Sequence, residues 1–389
     1  MKKIISIILI LLSVSQIFSQ NTEAVISQIT QNNSTLKALA KSNAADSVGN
    51  RTDIYLQNPE VGFNYLYGNP SVIGNRTDFS ITQPFDFPTA YRYKKQVANL
   101  KNAQLKYTFQ EQYKAIILQA KLTCIDLVYC NILINEYRKR FENAELIANS
   151  YKRKFDLGET NIMERNKAEI NKLNSASELE KLQIEKTALL SELIGLNGNT
   201  PVTFDDTIFS ENQISVDFET WYAEAEKRNP LLNRLKLEVE GTEKQENLSL
   251  ALSLPKFSAG YMSERSIGED FQGITVGISV PLFENKNKLK YAQLKTEAAK
   301  NYEIANKLQF YNALKMLHSK AITLQKSVAE YERNLQTFNN SELLYKALEK
   351  GEINLITYIS ELSFQYESNR NLLDLKKELQ KTMAELNQY

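Results

Sequence analysis

The chain has 389 residues, 42% of them apolar and 24% charged, with 47 basic against 46 acidic side chains and one histidine. That length alone suggests two or three domains, and the balanced charge gives no electrostatic reason to expect nucleic acid as a partner. Two cysteines exclude a disulfide-built scaffold, and a zinc centre would need more His and Cys ligands close together than this chain owns, so no cofactor and no metal are expected.

Residues 1–20 have the layout of a cleaved secretory signal. Lys2 and Lys3 precede the apolar run Ile4–Leu12, which relaxes through Ser13, Ser15 and Ser19, with the cut expected after Ser19 or Gln20. The apolar run is shorter than the ~20 residues a membrane span needs. No Cys follows, so no lipid anchor is expected at the new N-terminus. A first helix is expected over about 22–48. After it, Val61, Phe63, Tyr65 and Tyr67 alternate with Gly62, Asn64 and Leu66, and Phe79 and Ile81 alternate with Ser80 and Thr82. One apolar face and one small or polar face is the pattern of a transmembrane β-strand with lipid outside and water inside. A loop is expected at 68–76.

Neither Pro nor Gly interrupts residues 89–157. Helical throughout, such a stretch is ~100 Å long, far beyond an ordinary globular helix. Its stripe Leu118, Leu122, Ile125, Tyr129, Ile132 has further apolar residues beside it, which implies packing against more than one neighbour. The most apolar window, Ala115–Ile134, contains Lys121 and Asp126, so protein suits it better than lipid. Cys124 and Cys130, six residues apart in this helix, lie too far apart for a disulfide. The helix stops at Gly158, and Asn161 is placed to cap the next one at capping-box spacing from Glu164. A returning helix is expected over 162–196, then a linker over 198–217.

The chain then repeats itself about 195 residues on, a period that fixes the architecture. Pro59–Tyr65 is answered by Pro255–Tyr261, Ile81–Phe85 by Ile278–Leu282, Phe155–Ile162 by Leu348–Leu355, and Asn33 and Leu36 by Asn229 and Leu232. The second copy, 218–389, holds a helix at about 218–253, strands over Phe257–Tyr261 and Ile274–Val280 with a loop at 264–273, a rod over 282–350, Gly351, and a returning helix over 355–388. The rod's seam of Phe310, Leu314, Leu317, Ala321, Leu324, Val328, Tyr331, Leu335 and Phe338 is spaced four and three alternately, as in a coiled coil. His318 flanks that seam and is expected to be a packing residue. The fold class expected is mainly α with a small transmembrane β part, in two tandem repeats, 21–197 and 218–389.

Four strands do not close a barrel, and lipid does not tolerate open edges. Three copies would supply twelve strands, enough for an aqueous lumen. The alternative from the residues alone is a soluble sandwich capping a coiled coil.

The tip Phe155-Asp156-Leu157-Gly158 with Ala168 downstream, its second copy around Gly351, and Pro281-Leu282-Phe283 at the strand exit resemble the TolC-type outer-membrane efflux proteins. The resemblance covers the mature chain. It implies a homotrimer in the outer membrane of a Gram-negative bacterium, with a shared twelve-stranded barrel and an α-helical tunnel through the periplasm. It also implies contact with outer-membrane lipid, a periplasmic adaptor, and an inner-membrane transporter of the resistance-nodulation-division or ABC type, in efflux or type I secretion. Residues Gln83 to Pro88 resemble the heavy-metal-efflux subgroup, although Thr89-Ala90-Tyr91 replaces that subgroup's Gly-Lys-Arg. By position, Leu157, Gly158, Glu159, Gly351 and Glu352 would form the adaptor-docking tip. Pro84 and Pro281 would mark the barrel-to-helix junctions. The family often carries Asp six residues after the tip glycine; here Glu164 and Thr357 stand there, with Tyr358 next, and these three would line the constriction.

No Gly-rich phosphate loop is present, so no enzymatic activity is expected and the energy for export would come from a partner. The rival functions are a periplasmic adaptor, which normally carries one helical hairpin flanked by compact β domains, and a structural coiled-coil envelope protein without a channel.

Overall fold

The computed structural model describes residues 22–210, 214–215, 217–337 and 341–388. The expected signal segment and Phe338 lie outside the described residues. In chain order the elements are α1 (Thr22–Asn32), α2 (Ser34–Gly49), β1 (Glu60–Leu66), β2 (Arg76–Phe85), α3 (Pro88–Asp156), α4 (Ile162–Leu196), α5 (Phe218–Arg228), α6 (Pro230–Ala251), β3 (Lys256–Ser266), β4 (Glu269–Ser279), α7 (Lys288–Thr337), α8 (Ser341–Glu349) and α9 (Leu355–Leu386). The four strands form one antiparallel sheet in the order β1-β2-β3-β4. The chain divides into two compact units. One comprises the residues through Lys37, Gln112–Tyr222 and those from Asn312 onward; the other comprises Ala38–Glu111 and Ala223–Tyr311. Each unit draws on both sequence copies.

Three expectations are corrected. The first helix of each copy is two helices, broken at Asn33 and at Asn229. The Asn33 side chain accepts from the Leu36 N–H at 2.9 Å, and Asn229 accepts from Leu232 at 3.1 Å. Each is therefore an N-cap, so the pair that marks the repeat also marks the break. Pro230 follows at the first helical position, where its missing N–H costs nothing. The β3–β4 connection is not a loop over 264–273 but a two-residue turn at 267–268, with Gly268 at φ 77° and ladder pairing up to Ser266–Glu269. The second long helix begins at Lys288 rather than 282 and is described to Thr337, and the rest of the expected rod is a separate helix, Ser341–Glu349. After Pro281 the chain turns through 283–287, Asn287 adopts φ 65°, and the Asn285 side chain donates to the Leu252 carbonyl at 2.8 Å.

The predicted helix faces are the packed ones. The α7 seam from Phe310 to Leu335 is buried or half-buried at every position, with Leu314 at 2% and Ala321 at 0% exposure. His318 is buried beside it, its Nε2 2.7 Å from the Ser215 carbonyl and its ring against Phe218 and Trp221. In α3 the stripe beside the predicted one lies deeper: Ala120, Cys124, Leu127, Asn131 and Ile134 are all buried. Both thiols are free, and burial pushes Cys124 up to about 12 and Cys130 to about 11, so they remain protonated at neutral pH.

Candidate channel segment and helical tips

The sheet register sorts side chains into two classes. Val61 pairs with Ile81, Ile81 with Tyr261, and Tyr261 with Ile274, so one row of four large apolar side chains crosses the sheet. Phe85, Phe257 and Ile278 form a second row on that face. The first row is exposed, Val61 at 66% and Ile274 at 85%, and so is Ile278, whereas Phe85 and Phe257 are half-buried, Phe257 against the ring of Phe87 at 6.2 Å. On the opposite face the row Glu60, Thr82, Gly260, Thr275 is polar or small. A Cβ at Gly260 would come within 2.3 Å of the Ile81 carbonyl oxygen, so only glycine fits there. An ion-pair chain, Arg76 to Asp78 at 2.7 Å and Arg76 to Glu264 at 2.8 Å, bridges β2 and β3 on this face. β1 and β4 are the edges, each with one unpaired side.

Pro84 lies within β2, opposite Ser258 of β3, whereas β1 pairs with β2 only as far as Thr82. The proline therefore removes an N–H at a point the neighbouring strand does not reach. Pro281 is half-buried just past β4 and precedes the turn into α7. Pro84 leads to α3 and Pro281 to α7.

At the C-terminal ends of α3 and α8 the chain reverses in the same way. Gly158 has φ 76°, its N–H reaches the Phe155 carbonyl at 3.0 Å, and the Glu159 N–H reaches Lys154 at 2.8 Å. Gly351 has φ 75°, with Gly351 to Leu348 at 3.1 Å and Glu352 to Ala347 at 2.9 Å. Both are Schellman caps. Asn161 then accepts from the Glu164 N–H, and Asn354 from the Thr357 N–H, each at 2.9 Å. Leu157, Gly158, Glu159, Gly351 and Glu352 are exposed at these reversals. Leu157 (73%), Met163 (66%) and Ile356 (51%) add exposed apolar surface beside them.

The three residues expected at the constriction separate. Thr357 is exposed, and the half-buried Glu164 carboxylate receives Lys167 at 3.2 Å. Tyr358 turns the other way. It is 2% exposed, packs with Ile147, Ala148, Ala168, Leu355 and Leu362, and accepts from the Asn143 amide at 2.9 Å. That placement removes Tyr358 from a lumen lining; its spacing of three from Leu355 and four to Leu362 is the apolar stripe of α9. Sequence reasoning also missed Arg140. Its guanidinium lies between the rings of Tyr137 and Tyr366, 4.2 and 3.7 Å from their centroids, and it pairs with Glu136. The group is nearly buried, so this cation–π stack joins α3 to α9 where water screens little.

Among the described residues no group of three His, Cys, Asp or Glu is arranged to hold a metal ion. One described helix, α3, has a window long and apolar enough to cross a membrane, and half of that window is buried inside the protein. Asp126 within it pairs with Lys381 at 2.7 Å, which marks the window as a protein interior.

One unit thus holds two Gly-ended helical reversals, and the other holds a four-stranded sheet with an exposed apolar row. No family model matches the sequence, and no curated protein sequence matches it. Solved structures do match. The chain is similar to the Campylobacter jejuni CmeC outer membrane channel, with a TM-score of 0.80 and 14% identity over 95% of this chain and 85% of that one. The outer membrane protein VceC from Vibrio cholerae gives 0.74 and 11% identity over 94% of each chain. The open state of the Neisseria gonorrhoeae MtrE outer membrane channel gives 0.70 and 10%, covering 95% and 88%. The fold is that of the TolC-type outer-membrane channels.

Proposed function

We propose that this chain is one third of a passive exit duct in the outer membrane of a Gram-negative bacterium, working in efflux or type I secretion. The observation that carries this reading is the row Val61, Ile81, Tyr261, Ile274: four large apolar side chains in register on an exposed face, backed by a polar row. Water on both faces would leave that row without a purpose, while lipid on one face and water on the other fits it. The free sides of β1 and β4 ask for pairing with identical neighbours, and three copies give twelve strands. The helices then continue the lumen into the periplasm. The exposed tips around Leu157, Gly158, Glu159, Gly351 and Glu352 would receive a periplasmic adaptor carrying an inner-membrane transporter of the resistance-nodulation-division or ABC type. Glu164 and Thr357 remain as the constriction candidates.

The duct carries no energy-coupling chemistry of its own, so cargo selection falls to the transporter. A periplasmic adaptor is disfavoured by the presence of two hairpins and a continuous outward apolar sheet face. A coiled-coil envelope protein without a channel has no use for that face. Planar-bilayer recording of purified protein tests the proposal: discrete, long-lived conductance steps support it, and protein recovered as a detergent-free soluble monomer without conductance refutes it.

A further inference from the structure

The strands end in a belt of positive charge. β2 and β4 finish at the same end of the sheet, where Phe85, Phe257 and Ile278 are in register. The exposed apolar run of β4, Ile274, Val276 and Ile278, continues past the strand through Val280, Leu282 and Phe283, the last 85% exposed. Immediately beyond come Lys286, Lys288, Lys290 and Lys295, and after β2 come Arg92 and Lys95, all exposed. Lys295 lies 5.6 Å over the ring of Tyr291, itself 64% exposed. The acids of these two segments are already matched: Asp86 to Lys94 at 2.8 Å, and Glu284 to Lys256 at 3.0 Å. Among the described residues, Arg92, Lys286, Lys288 and Lys290 have no ion-pair partner. These charges do nothing for the helices that bear them, since positive charge opposes the dipole at this end. Both copies of the repeat place the first of them seven residues past a strand end, Arg92 after Phe85 and Lys286 after Ser279.

We propose that these six cations form a collar that binds the headgroups of anionic phospholipids in the leaflet where the strands end. The inference rests on the membrane reading above. Charge complementarity selects the anionic headgroup, and the unbroken apolar run from Ile274 to Phe283 sets the collar at the acyl-chain boundary. The cations would hold the barrel at a fixed depth as well as select lipid.

The test uses full-length protein reconstituted into phosphatidylcholine vesicles with trace spin-labelled phosphatidylglycerol or phosphatidylcholine. The expected result is a preference for the anionic label of about fivefold or more, the ratio that ~1 kcal/mol for a single lysine near the surface implies, declining at high salt. Replacing Lys286, Lys288 and Lys290 together by Gln should bring the ratio toward unity, while replacing them by Arg should preserve it. Inserted wild-type protein with no preference, or a Gln variant with an unchanged one, overturns the collar and leaves the duct reading intact. Protein that remains outside the vesicles overturns both.

Discussion

The hydroxyl of Tyr358 accepts a hydrogen bond from the side-chain amide of Asn143 at 2.9 Å, tying the returning helix of the second hairpin to the long helix of the first. Their sequence separation makes this a tertiary link at the helical tips, inside a cluster that includes Ile147, Ala148, Ala168 and Leu362. Tyr358→Phe keeps the packing and removes one hydrogen bond from the half-buried Asn143 amide, which also meets Tyr366, an expected loss of about 1 kcal/mol. Tyr358→Ala opens a cavity and should cost about 3–5 kcal/mol. Hydrogen exchange across 143–148 and 355–362 should accelerate in that order; equal protection in both variants would contradict the link.

Burial holds the phenols of Tyr129, Tyr151, Tyr358 and Tyr366 above their ordinary value of 10.0, partly opposed at Tyr366 by the Arg140 charge. A raised folded value means the native state keeps its proton more tightly than the unfolded chain. The stability this provides is complete below the unfolded value and is lost as pH rises through the folded one. Denaturation midpoints should therefore stay level to about pH 10 and fall above it, with the tip amides exchanging first. Ultraviolet titration should show these four ionising late, together with unfolding.

Gly158 and Gly351 sit at φ 76° and 75°, and a Cβ at either would meet no atom within 4 Å. Substitution by Ala therefore costs only the left-handed backbone strain, about 1–2 kcal/mol at each site. The double variant should lose the sum, because each cap is closed by its own helix. Unfolding midpoints and exchange rates at 153–162 and 346–355 measure it.

Asn33 and Asn229 cap equivalent helices but are not equally committed. Asn33 also donates from its amide to the Leu196 carbonyl at 2.8 Å, binding the end of α4 to the α1–α2 break, where Gly198 packs against the Asn32 carbonyl. Asn229→Ala should cost about 1 kcal/mol for the lost cap. Asn33→Ala should cost about twice that, since the partly buried Leu196 carbonyl loses its donor as well. Equilibrium denaturation of the two variants side by side decides it.

Much of this was legible because long regular elements advertise their period. The α7 seam, the alternating strand faces and both glycine reversals follow from spacing and from residues whose backbone preferences are narrow. The missed features depended on contacts or on single residues set against a strong background. The break at Asn33 has no Gly or Pro to mark it; Asn229-Pro230 carried a signal that a continuous helical period outweighed. At the strand exit, Leu282 and Phe283 fit a helix or an extended run equally, and the turn at Asn287 decides. Tyr358 was placed by counting from Gly351, but burial follows the stripe through Leu355 and Leu362 rather than distance from the cap. Arg140 between two tyrosines is a tertiary juxtaposition that no local pattern encodes.

On the proposed duct, the free sides of β1 and β4 pair with neighbouring copies of the same chain. Cysteine pairs scanned along 60–66 and 269–279 test it directly, with the buried native thiols at Cys124 and Cys130 giving little background. Oxidation in membranes followed by heating without reductant should yield covalent dimers and trimers at one register and nothing larger. Chains that stay monomeric at every register, or a ladder that runs past three, would contradict the account.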